Sequence, residues 1–136
     1  MQLKNKVLFD SSALLTLIQQ ENGYEELEDV VANAVISSVN LSEVISVLSR
    51  SMVPKEKIEE IINSSITDVI PFSRGEAILS GELINQTKAF GLSLGDRACI
   101  ATGILYNLKV YTTDQIWRKL DLKGLKLVLV RDNLKK

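Results

Sequence analysis

The apolar positions of this chain fall into short runs separated by longer stretches with helical spacing. The run Val7-Leu8-Phe9 predicts a strand, and the apolar residues between Ala13 and Ile18 follow it with the spacing of a helix. Further short runs predict strands at residues 35–39, 69–72, 108–113 and 125–130.

Helical spacing fills the intervals between these strands. The predicted helices cover residues 41–48, a segment that begins near Pro54, residues 74–90, residues 98–105 and residues 115–120. Proline is favoured in the first turn of a helix, and Gly91 is suited to end the helix that precedes it. The segment 98–105 is apolar on nearly every side, so we expect it to lie centrally and to pack closely on a sheet.

Strands that alternate with helices are typical of α/β folds joined by right-handed crossovers. We therefore expect one three-layer α/β domain over residues 1–136, with a five-stranded, mainly parallel sheet flanked by helices. Pro71 lies inside the third predicted strand and lacks a backbone N–H, so that strand is expected at an edge of the sheet. The tail from Asn133 to Lys136 is expected to pack loosely.

Composition narrows the chemistry that this domain can support. The chain has no histidine and a single cysteine, Cys99. Ser-His-Asp triads, Cys-His pairs and zinc sites built from histidine and cysteine are therefore excluded, and hydrolysis must depend on carboxylates, hydroxyls, lysine, arginine or a metal. No apolar stretch approaches the ~18 residues of a membrane-spanning helix, and no signal peptide is visible, so we expect a cytoplasmic protein.

Acidic residues follow several of the predicted strands at the point where each strand ends. In a parallel sheet the carboxyl ends of the strands share one edge, and ligands bind in the crevice beyond that edge. Polar residues assigned to this edge come from four separate segments: Asp10, Asn40 with Glu43, Asp96, and Thr112 with Asp114. The sequence therefore predicts a carboxylate-rich crevice.

Each of these acids also fits a helix N-terminus. Asn40-Leu41-Ser42-Glu43 and Ser93-Leu94-Gly95-Asp96 both resemble capping boxes, and Asp10 or Asp114 would serve as an N-cap. Several like charges in one crevice would repel one another, by about 4 kcal/mol for a pair ~4 Å apart at an effective dielectric near 20. We therefore expect a bound cation, and oxygen-only ligands favour Mg²⁺ or Mn²⁺ over zinc.

Four stretches of the chain carry a recognisable pattern: VLFDSSALLTL, NLSEVISVL, LSLGDRACIATG and VYTTDQIW. In content, order and approximate spacing, from Val7 to about Trp117, they resemble the PIN-domain ribonucleases, and most closely the VapC toxins of toxin–antitoxin pairs. The resemblance implies a strand order of 3-2-1-4-5, an acidic Mg²⁺ site and endonucleolytic cleavage of RNA. It also implies inhibition by a cognate antitoxin and a homodimer.

Carried over by position, the resemblance gives the catalytic and metal-binding acids as Asp10, Glu43, Asp96 and Asp114. It gives the supporting residues around the metal as Ser12, Asn40 and Thr112. Arg97 is a candidate phosphate contact, with a solvent-facing or capping role left open. The chain departs from the family pattern at Gln115, where arginine is frequent, and at Ser11, where alanine is common. We expect these departures to affect substrate contacts more than the metal site.

The candidate residues predict metal-assisted hydrolysis of a phosphodiester with water as the nucleophile. We expect Asp10 and Asp96 to be direct metal ligands, and Asp114 to bind in the same shell or through water. Glu43 is expected to orient or deprotonate the attacking water. The net charge of the chain is −1, and without the four acids the rest carries +3, which is compatible with RNA.

The two helices on either side of Pro54 predict a partner surface. Their apolar residues are Val44, Ile45, Val47, Leu48, Met52 and Val53. We expect this set to exceed what one side of the sheet can cover, which would leave a groove for an antitoxin helix or a second copy of the chain.

Other functions remain open on the sequence. A phosphotransferase of the haloacid-dehalogenase type also begins with a strand and an aspartate, but it requires a second aspartate where Ser12 stands. A receiver-like signalling domain requires an acceptor aspartate after the third strand, where this chain has Ser73. A housekeeping PIN-domain nuclease, or a degenerate PIN fold used only for binding, is the remaining alternative.

Overall fold

The structure is a computed structural model of the chain, and it describes residues 2–66 and 68–130. Its strands are β1 (Val7–Phe9), β2 (Ala34–Ser37), β3 (Asp68–Ile70), β4 (Lys109–Thr112) and β5 (Lys126–Leu129). They form one sheet in the order β3-β2-β1-β4-β5, and every pairing in it is parallel. The predicted five-stranded sheet and its order are confirmed, and β3 lies at an edge. The prediction that Pro71 lies inside this strand is wrong, because β3 ends at Ile70, directly before the proline, which has no N–H to continue the ladder.

Helices connect successive strands on both sides of the sheet. The α-helices of the described residues are α1 (Ser11–Gln19), α2 (Tyr24–Glu28), α3 (Ser38–Arg50), α4 (Lys55–Ser65), α5 (Arg74–Glu82), α6 (Ile84–Thr87) and α7 (Leu94–Tyr106). Short 3-10 segments cover Val31–Asn33, Lys88–Phe90 and Gln115–Lys119. No helix in the described ranges is long and apolar enough to cross a membrane.

Successive residues of the central strands point to opposite faces of the sheet. Leu8 belongs to an apolar cluster that includes Ile100 of α7. Phe9 belongs to a second cluster that includes Leu14 of α1 and Val44 of α3. Both faces of the sheet are therefore covered by helices, which is the predicted three-layer arrangement.

The central helix is α7, as the apolar segment 98–105 predicted. Residues 98–103 are all buried. A Cβ atom at Gly103 would lie 2.4 Å from a methyl carbon of Val110, so glycine at this position lets α7 approach β4 closely. The close packing holds the C-terminal half of α7 against the sheet.

The prediction of one continuous helix over residues 74–90 is wrong. Helices α5 and α6 and a 3-10 segment share this range, and the range ends, as predicted, at Gly91 in the left-handed conformation (φ 70°). The buried Thr87 hydroxyl donates to the carbonyl oxygen of Leu83, the residue at the break (2.8 Å). The predicted loose tail lies outside the described residues.

Candidate active site

The structure brings the four acid-bearing segments to one edge of the sheet. Asp10 directly follows β1, and Asp114 follows the end of β4. Glu43 lies in α3, which follows β2, and Asp96 lies in the first turn of α7. Because β2, β1 and β4 are parallel neighbours, the segments that follow them meet at their carboxyl ends.

Asp10 is the buried centre of this edge, with 4% of its surface exposed. One carboxylate oxygen accepts hydrogen bonds from the Ala13 N–H (2.8 Å) and the Ser12 hydroxyl (2.7 Å), and the other accepts from the Thr112 hydroxyl (2.5 Å). Burial raises the pKa of Asp10 to about 6, against the opposing effect of these three donors, and the charge of Asp96 raises it further. Ionised Asp10 therefore destabilises the folded protein, because its hydrogen bonds offset only part of the free-energy cost of burying the charge.

The hydroxyls of Ser12 and Thr112 join the ends of β1 and β4. The Ser12 hydroxyl accepts from the Thr113 N–H (3.0 Å), and the Thr112 hydroxyl accepts from the Asp114 N–H (3.1 Å). Each hydroxyl also donates to Asp10, so the two predicted supporting residues set the position of that carboxylate and of the Asp114 loop.

Asn40 and Glu43 lie inside α3, because this helix begins at Ser38 and is capped by Ser37. The alternative in which Asn40 and Glu43 form a capping box is therefore wrong. The Asn40 side-chain amide donates to Glu43 Oε1 (2.8 Å) and to the Gly95 carbonyl oxygen (3.1 Å), which ties α3 to α7. Glu43 is thus the one acid of the four that serves no helix terminus.

Ser11 also contacts Glu43, a role that the sequence did not indicate. Its hydroxyl donates to Glu43 Oε1 (2.5 Å). The serine at this position, where alanine was expected from the resemblance, therefore contacts an acid of the site on α3. The only signal in the sequence was that two serines, Ser11 and Ser12, follow Asp10.

Gly95 is a further site residue that sequence analysis missed. A Cβ atom at this position would lie 2.2 Å from Glu43 Oε2, so only glycine leaves room for the Glu43 carboxylate against α7. Glycine is disfavoured inside helices by about 1 kcal/mol relative to alanine. A glycine in the first turn of α7, just before Asp96, was the signal in the sequence that another side chain packs closely against the helix there.

Asp96 forms the predicted capping box with Ser93. The Ser93 N–H donates to Asp96 Oδ2 (2.9 Å), and the Asp96 N–H donates to the Ser93 hydroxyl (3.2 Å). Partial burial raises the pKa of Asp96 against these bonds, and the charges of Glu43 and Asp114 raise it further. The repulsion predicted among the acids is therefore present.

Capping leaves carboxylate oxygens free for other partners. Asp114 caps the following 3-10 segment through Oδ1, which accepts from the Ile116 N–H (3.2 Å). Among the described residues no hydrogen-bond donor reaches Asp96 Oδ1, Asp114 Oδ2 or Glu43 Oε2. Asp96 and Asp114 can therefore cap a helix with one carboxylate oxygen and bind a cation with the other.

The chemistry of this donor set fits a hard divalent cation. All donors are oxygen atoms, and the charges of neighbouring acids raise the pKa of Asp10 and of Asp96, so a positive charge at this edge would be stabilised. In residues 2–66 and 68–130, no group of three or more Asp, Glu or Cys side chains is arranged to hold a metal ion as it stands. Shared ligation therefore requires rotation of side chains, which the partial exposure of Asp96 and the exposure of Asp114 permit.

Two further residues of the predicted set have backbone partners. The Arg97 guanidinium donates to the carbonyl oxygens of Ser80 (3.0 Å) and Leu92 (3.4 Å), so this side chain ties α5 to the segment before α7. A phosphate contact by Arg97 remains a prediction. Gln115 donates to the carbonyl oxygen of Val130 (3.1 Å), which holds the Asp114 loop to the end of β5.

The sheet order and the acidic edge define the class of protein: a three-layer α/β domain with carboxylates beyond the ends of β1, β2 and β4. Residues 7–123 match the family model of the PIN domain, and the chain therefore belongs to the PIN domain family. Membership of this family sets aside the haloacid-dehalogenase and receiver alternatives. Comparison with curated proteins finds no match.

Solved structures share the fold over almost the whole chain. A toxin–antitoxin complex from Klebsiella pneumoniae contains a chain that is 22% identical with a TM-score of 0.71, and the match covers 93% of this chain and 99% of that chain. DNA-bound VapBC from Salmonella typhimurium matches at 18% identity and a TM-score of 0.72, over 93% of this chain and 98% of that chain. VapBC2 from Rickettsia felis, bound to a promoter DNA fragment, matches at 21% identity and a TM-score of 0.70, over 90% of this chain and 97% of that chain.

Proposed function

We propose that this protein is a Mg²⁺-dependent endoribonuclease that acts as the toxin of a toxin–antitoxin pair. The observation that carries the nuclease proposal is the series of hydrogen bonds that joins the acid-bearing segments. The bonds run from the Asp114 loop through Thr112 and Asp10 to α1. They continue from α1 through Glu43 and Asn40 to the first turn of α7. Acids that are distant in the sequence are thereby held as one unit.

Within this unit we assign the cation to Asp10 and Asp96, with Asp114 in the same shell or bound through water. A bound divalent ion lowers the pKa of a water ligand and stabilises negative charge on a phosphate. The chain supplies the remaining groups. Ser12 and Thr112 fix the Asp10 carboxylate by donating to its two oxygens.

Glu43 is assigned to the attacking water. Its Oε1 is held by two donors, and its Oε2 has no donor among the described residues, so Oε2 can accept a proton. In the proposed reaction the water oxygen bonds to phosphorus, its proton passes to Glu43, and the bond from phosphorus to the leaving oxygen breaks.

An exposed apolar groove between α3 and α4 supports an antitoxin partner. Val44 and Leu48 are buried, but Ile45 is 36% exposed and Met52 is 85% exposed. Ile45 and Met52, together with Val53 and neighbouring residues, line a groove of about 490 Å³. We assign it to an apolar helix of the antitoxin, because the structures that share this fold include toxin–antitoxin complexes.

A homodimer is a separate proposal that depends on a different face. Ile78 of α5 is 50% exposed, and Leu105 and Tyr106 at the end of α7 are 47% and 40% exposed. We assign the dimer contact to these exposed side chains, because α5 and α7 pack against each other and none of the three lines the α3–α4 groove. Sedimentation of the purified protein is expected to give the mass of two chains, and a strictly monomeric protein would contradict the proposal.

Incubation of the purified protein with total RNA tests the nuclease proposal. We expect new 5′ ends at discrete positions with Mg²⁺ and none with EDTA. Asp96→Asn is expected to remove them, whereas Ser46→Ala, which deletes an exposed hydroxyl of α3 outside the site, is expected to cleave like the wild type. Cleavage that persists in EDTA, or full activity in a folded Asp96→Asn protein, would contradict the proposal.

The genetic context separates a toxin from a housekeeping nuclease. We expect the adjacent reading frame to encode a small DNA-binding protein that inhibits RNA cleavage when the two proteins are mixed. An active nuclease whose neighbour does not inhibit it would leave the housekeeping alternative.

A further inference from the structure

The carboxylate of Glu43 is held by two donors from different helices. The Ser11 hydroxyl of α1 lies 2.5 Å from Glu43 Oε1, and the Asn40 amide of α3 lies 2.8 Å from the same oxygen. We propose that Ser11 and Asn40 form a clamp that positions Glu43 for the attacking water, so that Ser11 is a positioning residue of this nuclease. The catalytic role of Ser11 rests on the proposed function. The hydrogen bonds of the clamp can be tested whether or not the protein cleaves RNA.

Both donors bind the same oxygen of Glu43, Oε1, so the clamp fixes how the carboxylate is oriented. Oε1 is occupied by the two donors, and the whole Glu43 carboxylate packs against Gly95, where an added Cβ atom would collide with both of its oxygens. Gly95 precedes Asp96, so the clamp keeps the free oxygen of Glu43 beside the first turn of α7. A glutamate in a helix has three rotatable side-chain torsions, and without the two donors its carboxylate would sample other positions.

The orientation of Asn40 is fixed by its own contacts. The residue is 1% exposed, and its amide nitrogen faces two acceptors, Glu43 Oε1 and the Gly95 carbonyl oxygen. A flipped amide would place its oxygen against both acceptors, so the nitrogen must stay where it is. The Asn40 Oδ1 atom consequently remains buried without a donor in the part of the chain that the structure describes.

The Ser11 hydroxyl is not needed for the helix in which it lies. Asp10 caps α1 by accepting from the Ala13 N–H, and that bond does not involve Ser11. The other bond of the Ser11 hydroxyl, to the Asn40 carbonyl oxygen, is long at 3.4 Å. Removal of the hydroxyl is therefore expected to release Glu43 and to leave the fold intact.

Three variants test the clamp in RNA cleavage. We expect Ser11→Ala to lower kcat by roughly 10- to 100-fold with little change in KM, because misplacing a catalytic group by about 1 Å has effects of this order. Ser11→Thr keeps the hydroxyl and is expected to restore most of the activity. In a Glu43→Gln background, Ser11→Ala is expected to add little, since the group that Ser11 positions is already lost. Ser46→Ala is the matched hydroxyl deletion on α3 and is expected to behave like the wild type.

Nuclear magnetic resonance of the metal-free protein gives a readout that does not depend on activity. We expect Ser11→Ala to shift the Asn40 side-chain amide resonances and to speed their exchange with solvent, whereas Ser46→Ala leaves them unchanged. Unaltered Asn40 resonances in a folded Ser11→Ala protein would overturn the clamp. If the resonances move but the wild type cleaves no RNA, the clamp stands and the proposed function fails. If they move and kcat is unchanged in an active enzyme, Ser11 has no positioning role.

Discussion

Asp10 is the residue at which stability and proposed activity conflict. It caps α1 and receives three hydrogen bonds, yet its burial raises its pKa from 3.8 to about 6. A shift of this size corresponds to roughly 3 kcal/mol of destabilisation of the folded, ionised protein at neutral pH. The carboxylate is therefore kept for a reason other than stability, which the proposed cation supplies.

Asp10→Asn is expected to stabilise the metal-free protein while it abolishes RNA cleavage. The asparagine oxygen can keep the Ala13 cap, and the Thr112 hydroxyl can accept from the new amide and donate to Ser12, 3.2 Å away. Thermal unfolding at pH 7.5 with EDTA checks the sign, and an RNA assay with Mg²⁺ checks the loss. A lower melting temperature than that of the wild type would contradict the account of Asp10.

The same pKa shift predicts how stability depends on pH. Between pH 3.8 and about 6 the folded protein holds a proton on Asp10 that the unfolded chain has lost, so the free energy of unfolding decreases as pH rises through this window. The raised pKa of Asp96 acts in the same direction. Urea unfolding at pH 4.5 and pH 7, in wild type and Asp10→Asn, isolates the contribution of Asp10. An equal pH dependence in the two proteins would show that Asp10 titrates at its ordinary pKa.

Gly95→Ala is expected to damage the site, although alanine ordinarily stabilises a helix. The new Cβ would collide with Glu43, so both melting temperature and RNA cleavage should fall. Gly81→Ala in α5 is the matched control, because nothing lies within 4 Å of its added Cβ, and it is expected to gain about 1 kcal/mol. Thermal unfolding of both variants checks the contrast, and a stabilised, fully active Gly95→Ala protein would contradict the close approach of α3 and α7.

At the scale of elements, local patterns were sufficient for the strands and insufficient for helix boundaries. Short apolar runs bounded by polar residues located all five strands, and the resemblance supplied their order. The break after α5, at Leu83, was not predicted. The start of α3 at Ser38 was missed because Asn40-Leu41-Ser42-Glu43 has the composition of a helix N-terminus.

The acids of the candidate site were predictable because each is tied to the end of a strand or the start of a helix. Their partners were not. The contact of Ser11 with Glu43 and the space at Gly95 depend on how closely α1, α3 and α7 approach, which no local pattern encodes.

The groove between α3 and α4 is the site that we propose for the antitoxin, and one of its side chains tests that proposal. Met52→Glu is expected to weaken antitoxin binding by at least about tenfold, because burying a methionine side chain stabilises a complex by roughly 1.5–3 kcal/mol. RNA cleavage by the free protein should be unchanged. Ser64→Glu adds the same charge at the end of α4, outside the groove. Calorimetric titration with the antitoxin checks the difference, and equal affinities for the two variants would place the antitoxin elsewhere.

At the scale of the whole molecule, charges of opposite sign lie at opposite ends of the sheet. The acids gather beyond the carboxyl ends of the strands, whereas Lys6, Lys109 and Lys126 line a pocket of about 360 Å³ at the amino ends. Without a cation, the acidic edge would repel a phosphodiester, so the proposed function requires a metal ion at this edge, bound by Asp10 and Asp96.

Anomalous diffraction from a crystal saturated with Mn²⁺, as a stand-in for Mg²⁺, tests this requirement most directly. We predict a peak within ligand distance of the Asp10 and Asp96 carboxylates, with the Asp96 and Asp114 side chains rotated toward it. An acidic edge without a peak at saturating Mn²⁺, or with its carboxylates turned away from one another, would contradict the shared metal site and the nuclease that depends on it.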